Sequence, residues 1–187
     1  MALKTFVKVS NVTNLSDARY CAGMEVDMLG FVCVTGKPHF VPINLFQDIR
    51  GWITGPAIVA EIEGLAAEEL SSIIENYKPD YLQVSYQLAQ KIVNDLPLIV
   101  RFESGIHWET LKNQKINFCI LTAEQFKHHK QTIPASIALI VEHIKDDSLS
   151  SFIDEKIGIA LSGSDEISPG FKDFDSLANI LEQLEVE

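Results

Sequence analysis

Eight short apolar runs, each followed by helical spacing or turn residues, recur from one end of the chain to the other. They are Phe6–Val9, Met28–Cys33, Ala57–Ile62, Tyr81–Val84, Leu98–Phe102, Phe118–Leu121, Ile137–Val141 and Ile157–Leu161. Alternation of such strands with helices is the signature of βα repeats, and eight of them are what a closed barrel needs. The expected fold is α/β, a (βα)8 TIM barrel forming a single domain over residues 1–187. That length is short for the architecture, which typically takes about 250 residues and about 200 at its lower end. Brief loops are therefore expected, with little room for a lid or an added domain. A flavodoxin-like open sheet is the alternative, and eight units disfavour it.

The helices between the strands are readable. Pro42 suits a first-turn position, with Leu45, Phe46 and Ile49 as the buried stripe behind it. Leu70, Ile73, Ile74 and Tyr77 repeat at helical spacing, and a last helix after Lys172-Asp173 buries Phe174, Leu177, Leu181 and Leu184. Thr13 or Asn14 can cap a first helix whose inner face is Leu15, Ala18 and Ala22. Asp17 and Arg19 are expected to cap or pair at its surface. The segments after strands five to seven are short and polar, so their helices are expected to be stunted.

Composition excludes several classes of partner. A net charge of −11 argues against nucleic acid and against an anionic membrane. No apolar run reaches the ~18 residues of a membrane span, and residues 1–10 lack the apolar core of a signal peptide. Three cysteines, Cys21, Cys33 and Cys119, have no CxxC spacing. They read as buried free thiols of a cytoplasmic protein rather than as a disulfide framework or a zinc site. Only three arginines occur, which is sparse for a site built to clamp phosphates. No cofactor and no metal are expected.

Side chains alternate along a strand, so Lys8 and Ser10 share a face, as do Glu61 and Glu63, Gln83 and Ser85, and Arg101 and Glu103. Polar groups inside apolar strands require partners, and in a barrel those partners lie across the lumen. Lys8, Glu61, Gln83 and Arg101 are therefore expected to form an inward polar layer. Structural ion network and ligand site are both open readings of it.

Two segments carry a family likeness. The first is Lys8-Val9-Ser10-Asn11-Val12-Thr13-Asn14, and the second is Ser162-Gly163-Ser164-Asp165-Glu166 with Pro169, Gly170, Lys172 and Asp173. They resemble the first and last units of phosphoribosylanthranilate isomerase, a small (βα)8-barrel family of tryptophan biosynthesis. That family opens K-[VI]-C-G-[IL]-T-N, where the cysteine is the catalytic base, and the matching position here is Ser10. Gly30-Phe31-Val32 keeps the frame of its second strand, with His39 at the substrate-binding arginine, Gln83 at the fourth-strand glutamine and Arg101 at the fifth-strand lysine. The catalytic aspartate ending strand six corresponds to Thr122, and the phosphate-binding Ser-Gly-Gly of strand seven corresponds to Glu142-His143-Ile144.

The resemblance implies an aldose–ketose isomerase, an intramolecular oxidoreductase that catalyses an Amadori rearrangement. An acid protonates the ring oxygen and a base removes the C2′ proton. Neither Ser10 nor Thr122 can take those roles unaided at neutral pH. Each such group contributes about 10²–10⁴ in rate, so the family activity is expected to be lost. The ligand-binding set implied at the C-terminal end of the barrel is Lys8, His39, Gln83, Arg101, Glu142, His143, Ser162, Gly163, Ser164 and Asp165. Glu61, Glu63, Glu103 and His107 extend an acidic rim there.

Three functions stay open. One is a diverged barrel that binds a small-molecule ligand, as a monomer or homodimer. The second is an active isomerase with a substituted pair such as Glu103 or His143, and the third is a non-catalytic interaction protein. His128-His129 reads as an exposed surface feature, and Cys33 as core.

Overall fold

A computed structural model describes residues 2–144, 149–155, 157–163, 166–168, 171–172 and 175–186. Eight parallel strands close into a barrel in sequence order: β1 (Val7–Ser10), β2 (Met28–Val32), β3 (Ala57–Glu61), β4 (Tyr81–Val84), β5 (Leu98–Arg101), β6 (Ile116–Thr122), β7 (Ala138–Glu142) and β8 (Gly158–Ser162). β8 pairs with β1 in the register Val7↔Ile159 to Ser10↔Ser162, which closes the ring and excludes the open sheet. The expected strands all form, with ends that coincide or shift by one or two residues.

Helices cover the outside: α1 (Leu15–Gly23), α2 (Ile43–Arg50), α3 (Leu70–Tyr77), α4 (Tyr86–Ala89), α5 (Ala123–His129), α6 (Leu149–Asp154) and α7 (Asp175–Leu184). After β5 only a 3-10 turn, Trp108–Leu111, replaces the helix, and α6 is short, as the polar segments there imply, whereas α5 after β6 runs seven residues, nearly as long as α2 and α3. A small antiparallel hairpin, β9 (Glu166–Ser168) with β10 (Phe171–Lys172), stands between β8 and α7. No helix among the described residues is long and apolar enough to cross a membrane.

The buried faces of α1 and α2 differ in part from the stripes read in the sequence. Leu45 is 38 % exposed, while Phe46 and Ile49 are buried. At 100° per residue Leu45 lies roughly 70° from the direction those two share, at the edge of the stripe. Asp17 is fully buried rather than at the surface. Asn14 caps α1 by accepting from Asp17 N at 2.9 Å, and its side-chain amide donates to Asp17 Oδ2 at 2.8 Å. The inner face of α1 is consequently Asp17, Ala18 and Cys21, with Leu15 and Ala22 only half-buried. Arg19 is exposed as read. Phe174 lies outside the described residues, whereas Leu177, Leu181 and Leu184 are buried.

The lumen is layered by strand alternation. An apolar plug of Met28, Val59, Ile99, Ile120, Ile140 and Ala160 fills the middle, with Phe6, Tyr81 and Phe118 packed against it. Phe6 and Phe118 stack at 5.0 Å between ring centroids. Among the described residues, the charged side chains Lys8, Glu61, Arg101 and Glu142 sit toward the end where the strands finish.

Candidate functional site

Lys8 is the deepest member of that polar layer. It follows β1 one step below Ser10 on the same face, and it is fully buried. Its ammonium donates to Ser10 Oγ at 2.5 Å and to Glu61 Oε1 at 2.5 Å. Glu61 Oε2 in turn accepts the backbone N–H of Asn11 at 3.2 Å. A buried ammonium without a partner is prohibitive, so this pairing is what allows a lysine inside the barrel. Because an ammonium can only donate, Ser10 Oγ must accept from it, and the serine's own proton is directed elsewhere.

The room for this pair comes from Gly30 on β2. A Cβ there would stand 2.1 Å from Glu61 Oε1 and 2.8 Å from Lys8 Nζ. Within an apolar strand, glycine marks close approach by other groups, and here these are the charged ends of two side chains.

A second ionic cluster lies across the mouth. Arg101, at the end of β5, donates through Nε to both carboxylate oxygens of Glu63, at 2.9 and 2.8 Å, and through Nη1 to Glu142 Oε1. Burial opposes the charge on Arg101, but Glu63 and Glu142 outweigh it and raise its pKa further. Gln83 Nε2 donates to Glu63 Oε1 at 2.7 Å. The four expected members of the inward polar layer are thus present, and Glu63 and Glu142 complete it.

Above these side chains opens a cavity of about 290 Å³ lined by Ser10, Asn11, Val32, Lys37, Pro38, His39, Glu61, Glu63, Gln83, Arg101 and Glu142. Of the residues singled out in the sequence, the cavity brings together Ser10, His39, Gln83, Arg101 and Glu142, with Lys8 beneath. Ser162 lies at its edge, accepting from Asn11 Nδ2 at 3.2 Å, and Gly163 N donates to Ser10 O at 2.7 Å. Ser164 and Asp165 lie outside the described residues. His143 is exposed with a positive φ of 54° and does not line the cavity.

Two other expectations resolve differently. Thr122 ends β6 in register with Glu142, at the same rim as Ser10 and Ser162. Its hydroxyl accepts from Gln125 N at 3.2 Å while Gln125 Oε1 accepts from Thr122 N at 2.9 Å, a reciprocal cap on α5. Glu103, half-buried, accepts from Gln87 at 2.6 Å and does not line the cavity. His107 is exposed, as is His128, while His129 packs its ring on Phe102 at 5.0 Å.

Cys33 is buried between α2 and α3 beside Tyr77 rather than in the lumen, donating to Phe31 O at 3.2 Å. Burial, with Glu61 nearby, pushes its thiol well above the ordinary range. Among the described residues, no group of three or more His, Cys, Asp or Glu is arranged to hold a metal.

Asn11, Gly30 and Lys37 are site residues that the sequence reading passed over. Asn11 carries φ 56° at the end of β1, a left-handed turn that asparagine tolerates and that aims its N–H at Glu61. That tolerance, directly after a strand, was the available signal.

Comparison with known proteins agrees with the fold. No protein-family model matches the chain. The N-(5'-phosphoribosyl)anthranilate isomerase of Gloeothece citriformis (strain PCC 7424) is 24% identical over 209 aligned positions, spanning 95% of this chain and 93% of that enzyme. The crystal structure of phosphoribosyl anthranilate isomerase from Thermus thermophilus superposes with a TM-score of 0.77 at 17% identity, covering 96% of this chain and 98% of that one. A phosphoribosyl anthranilate isomerase solved with reduced 1-(o-carboxyphenylamino)-1-deoxyribulose 5-phosphate gives a TM-score of 0.71 at 16% identity, over 95% and 97% of the two chains. The sequence likeness at both ends, the closed eight-stranded ring and these end-to-end similarities converge: the chain is a phosphoribosylanthranilate isomerase-like (βα)8 barrel.

Proposed function

We propose that this barrel binds a small molecule in the cavity at the C-terminal end of its strands and does not carry out the isomerisation of its relatives. The observation that carries this reading is the Lys8 ammonium donating to Ser10 Oγ. A general base must accept a proton, and the group in the base's place is a hydroxyl whose lone pair already faces a cation. Nor does the end of β6 supply an acid, because the Thr122 hydroxyl is committed to the α5 cap. The cavity remains a concave recess in which polar side chains from several strands converge, which suits binding. We assign Lys8, Ser10, His39, Gln83, Arg101 and Glu142 to its walls and floor, with Ser162 and Gly163 at its edge. Three unpaired, buried thiols suit a reducing cytoplasm.

Turnover of phosphoribosylanthranilate, followed by loss of its fluorescence, tests the proposal. No rate above the spontaneous reaction is expected from the purified protein, and no rescue of a tryptophan auxotroph that lacks the isomerase. Ser10→Cys alone is expected to leave both results unchanged, because the acid is still missing. Robust turnover by the natural sequence would overturn the reading.

A further inference from the structure

We propose that Ser10, backed by the Lys8 ammonium, is the donor that recognises the ligand of this cavity, and that the ligand it selects is an uncharged carbonyl compound. This rests on the reading of the barrel mouth as a ligand site. Lys8 is sealed beneath the floor with no exposed surface, and its hydrogen bond to Ser10 carries its influence into the cavity. The Ser10 hydroxyl lines the cavity, half-buried, and accepts from that ammonium at 2.5 Å. Its own proton cannot face a cation, and it is given to no acceptor among the described residues. A hydroxyl that accepts from an ammonium is polarised by it and becomes the stronger donor.

The carboxylates of the lining, by contrast, are largely taken. Of the six oxygens on Glu61, Glu63 and Glu142, five already accept. Glu61 Oε1 accepts from Lys8 and Oε2 from Asn11 N, both oxygens of Glu63 accept from Arg101, and Glu142 Oε1 accepts from Arg101. The charges balance as well. Those three carboxylates meet Lys8, Arg101 and Lys37, whose ammonium lies at the lip beside Gly64, next in the chain to Glu63. No net charge remains to attract an ion of either sign. A ligand alcohol or amine would bring donors to a wall whose carboxylates are engaged. A carbonyl oxygen only accepts, so it meets the free donor and adds no charge. Hydrogen-bonding capacity and charge balance therefore select the same group.

The test is NMR titration of the full chain, at constant ionic strength, with compounds that share one ring and differ in head group: cyclopentanone, cyclopentanol, cyclopentanecarboxylate and cyclopentylamine. Cyclopentanone is expected to bind about tenfold or more tightly than the others, with its carbonyl carbon resonance moved downfield by the hydrogen bond to its oxygen. Ser10→Ala is expected to weaken the ketone about tenfold and to abolish the shift, while Ser10→Thr, which keeps the hydroxyl, preserves both. Glu75→Gln, on the exposed face of α3, is expected to change neither. The shift is read on the natural protein, so it decides the matter even where Ser10→Ala fails to fold: a bound ketone with an unmoved carbonyl resonance would overturn the proposal. Ketone binding that Ser10→Ala leaves intact would do the same. Preference for another head group would overturn the carbonyl ligand while keeping the mouth as a ligand site. Binding of none of the compounds would overturn both.

Discussion

Lys8 Nζ donates to Glu61 Oε1 at 2.5 Å from side chains that are 0% and 7% exposed, so a complete ion pair is enclosed by the barrel wall. Such a pair is weak evidence of net stabilisation, because two desolvation penalties offset the attraction, but breaking it strands a charge. Lys8→Met is therefore expected to destabilise the fold by about 3–5 kcal/mol. In Lys8→Met/Glu61→Gln the neutral amide can still accept from Asn11 N, and about 2 kcal/mol or more of that loss should return. Urea unfolding of the wild type, the single variant and the double variant measures this. A double variant no more stable than the single would show that the pair is not the reason Lys8 is tolerated.

The same pair dictates glycine at position 30. Gly30→Ala places a methyl group 2.1 Å from Glu61 Oε1, and that oxygen is held by Lys8 while its neighbour accepts from Asn11. Relief requires moving a buried charged partner, so the expected cost is about 2 kcal/mol or more. Against a Glu61→Ala background the added methyl should cost far less, since the nearest crowding atoms are gone and the Lys8 ammonium, 2.8 Å from that Cβ, is no longer held there by its partner. Equal costs in the two backgrounds would place the strain elsewhere.

Much of this arrangement was readable from the chain, and the unread remainder has a common cause. The strands declared themselves as apolar runs, and period-two alternation put Lys8 beside Ser10 and Arg101 into the lumen. Which carboxylate each cation would choose depends on strand register and side-chain torsions summed around the ring, and alternation fixes neither. Glu142 therefore reads from the chain only as a residue of the phosphate-binding segment, and the structure makes it a partner of Arg101. Asp17 is a similar case: its carboxylate lies beside Gly163, far away in sequence, whose Cβ would stand 3.4 Å from Asp17 Oδ2. Thr122-Ala123-Glu124-Gln125 was a different kind of miss, because its spacing is that of a capping box and needed no tertiary information.

That capping box separates a structural from a chemical role for Thr122. Thr122→Ala removes the acceptor for Gln125 N and is expected to cost about 1 kcal/mol. Thr122→Asp keeps a capping oxygen, so its stability should match the wild type within about 0.5 kcal/mol. Thermal unfolding of the two variants decides the matter. An alanine variant as stable as the natural protein would free the hydroxyl for another task.

Burial also sets the behaviour of the thiols. Desolvation, reinforced by Asp17, pushes Cys21 up to about 12. Desolvation likewise raises Cys119 to about 12 despite the opposing pull of Arg101. Both start from an ordinary value of 9.0, and unfolding restores it. The folded state thus holds these protons more tightly than the unfolded one. Its advantage is complete below pH 9 and is lost as the pH rises from 9.0 toward about 12. Near pH 8 a disulfide reagent such as dithionitrobenzoate should leave the folded protein unlabelled, and it should label all three cysteines in concentrated guanidinium. Between about pH 8 and 10 the Tm of the natural protein should fall more steeply than that of Cys21→Ala/Cys119→Ala, whatever the offset between the two curves. Parallel curves, or rapid labelling of the native state, would show that the thiols reach solvent by local opening and that burial in the closed barrel does not govern their chemistry.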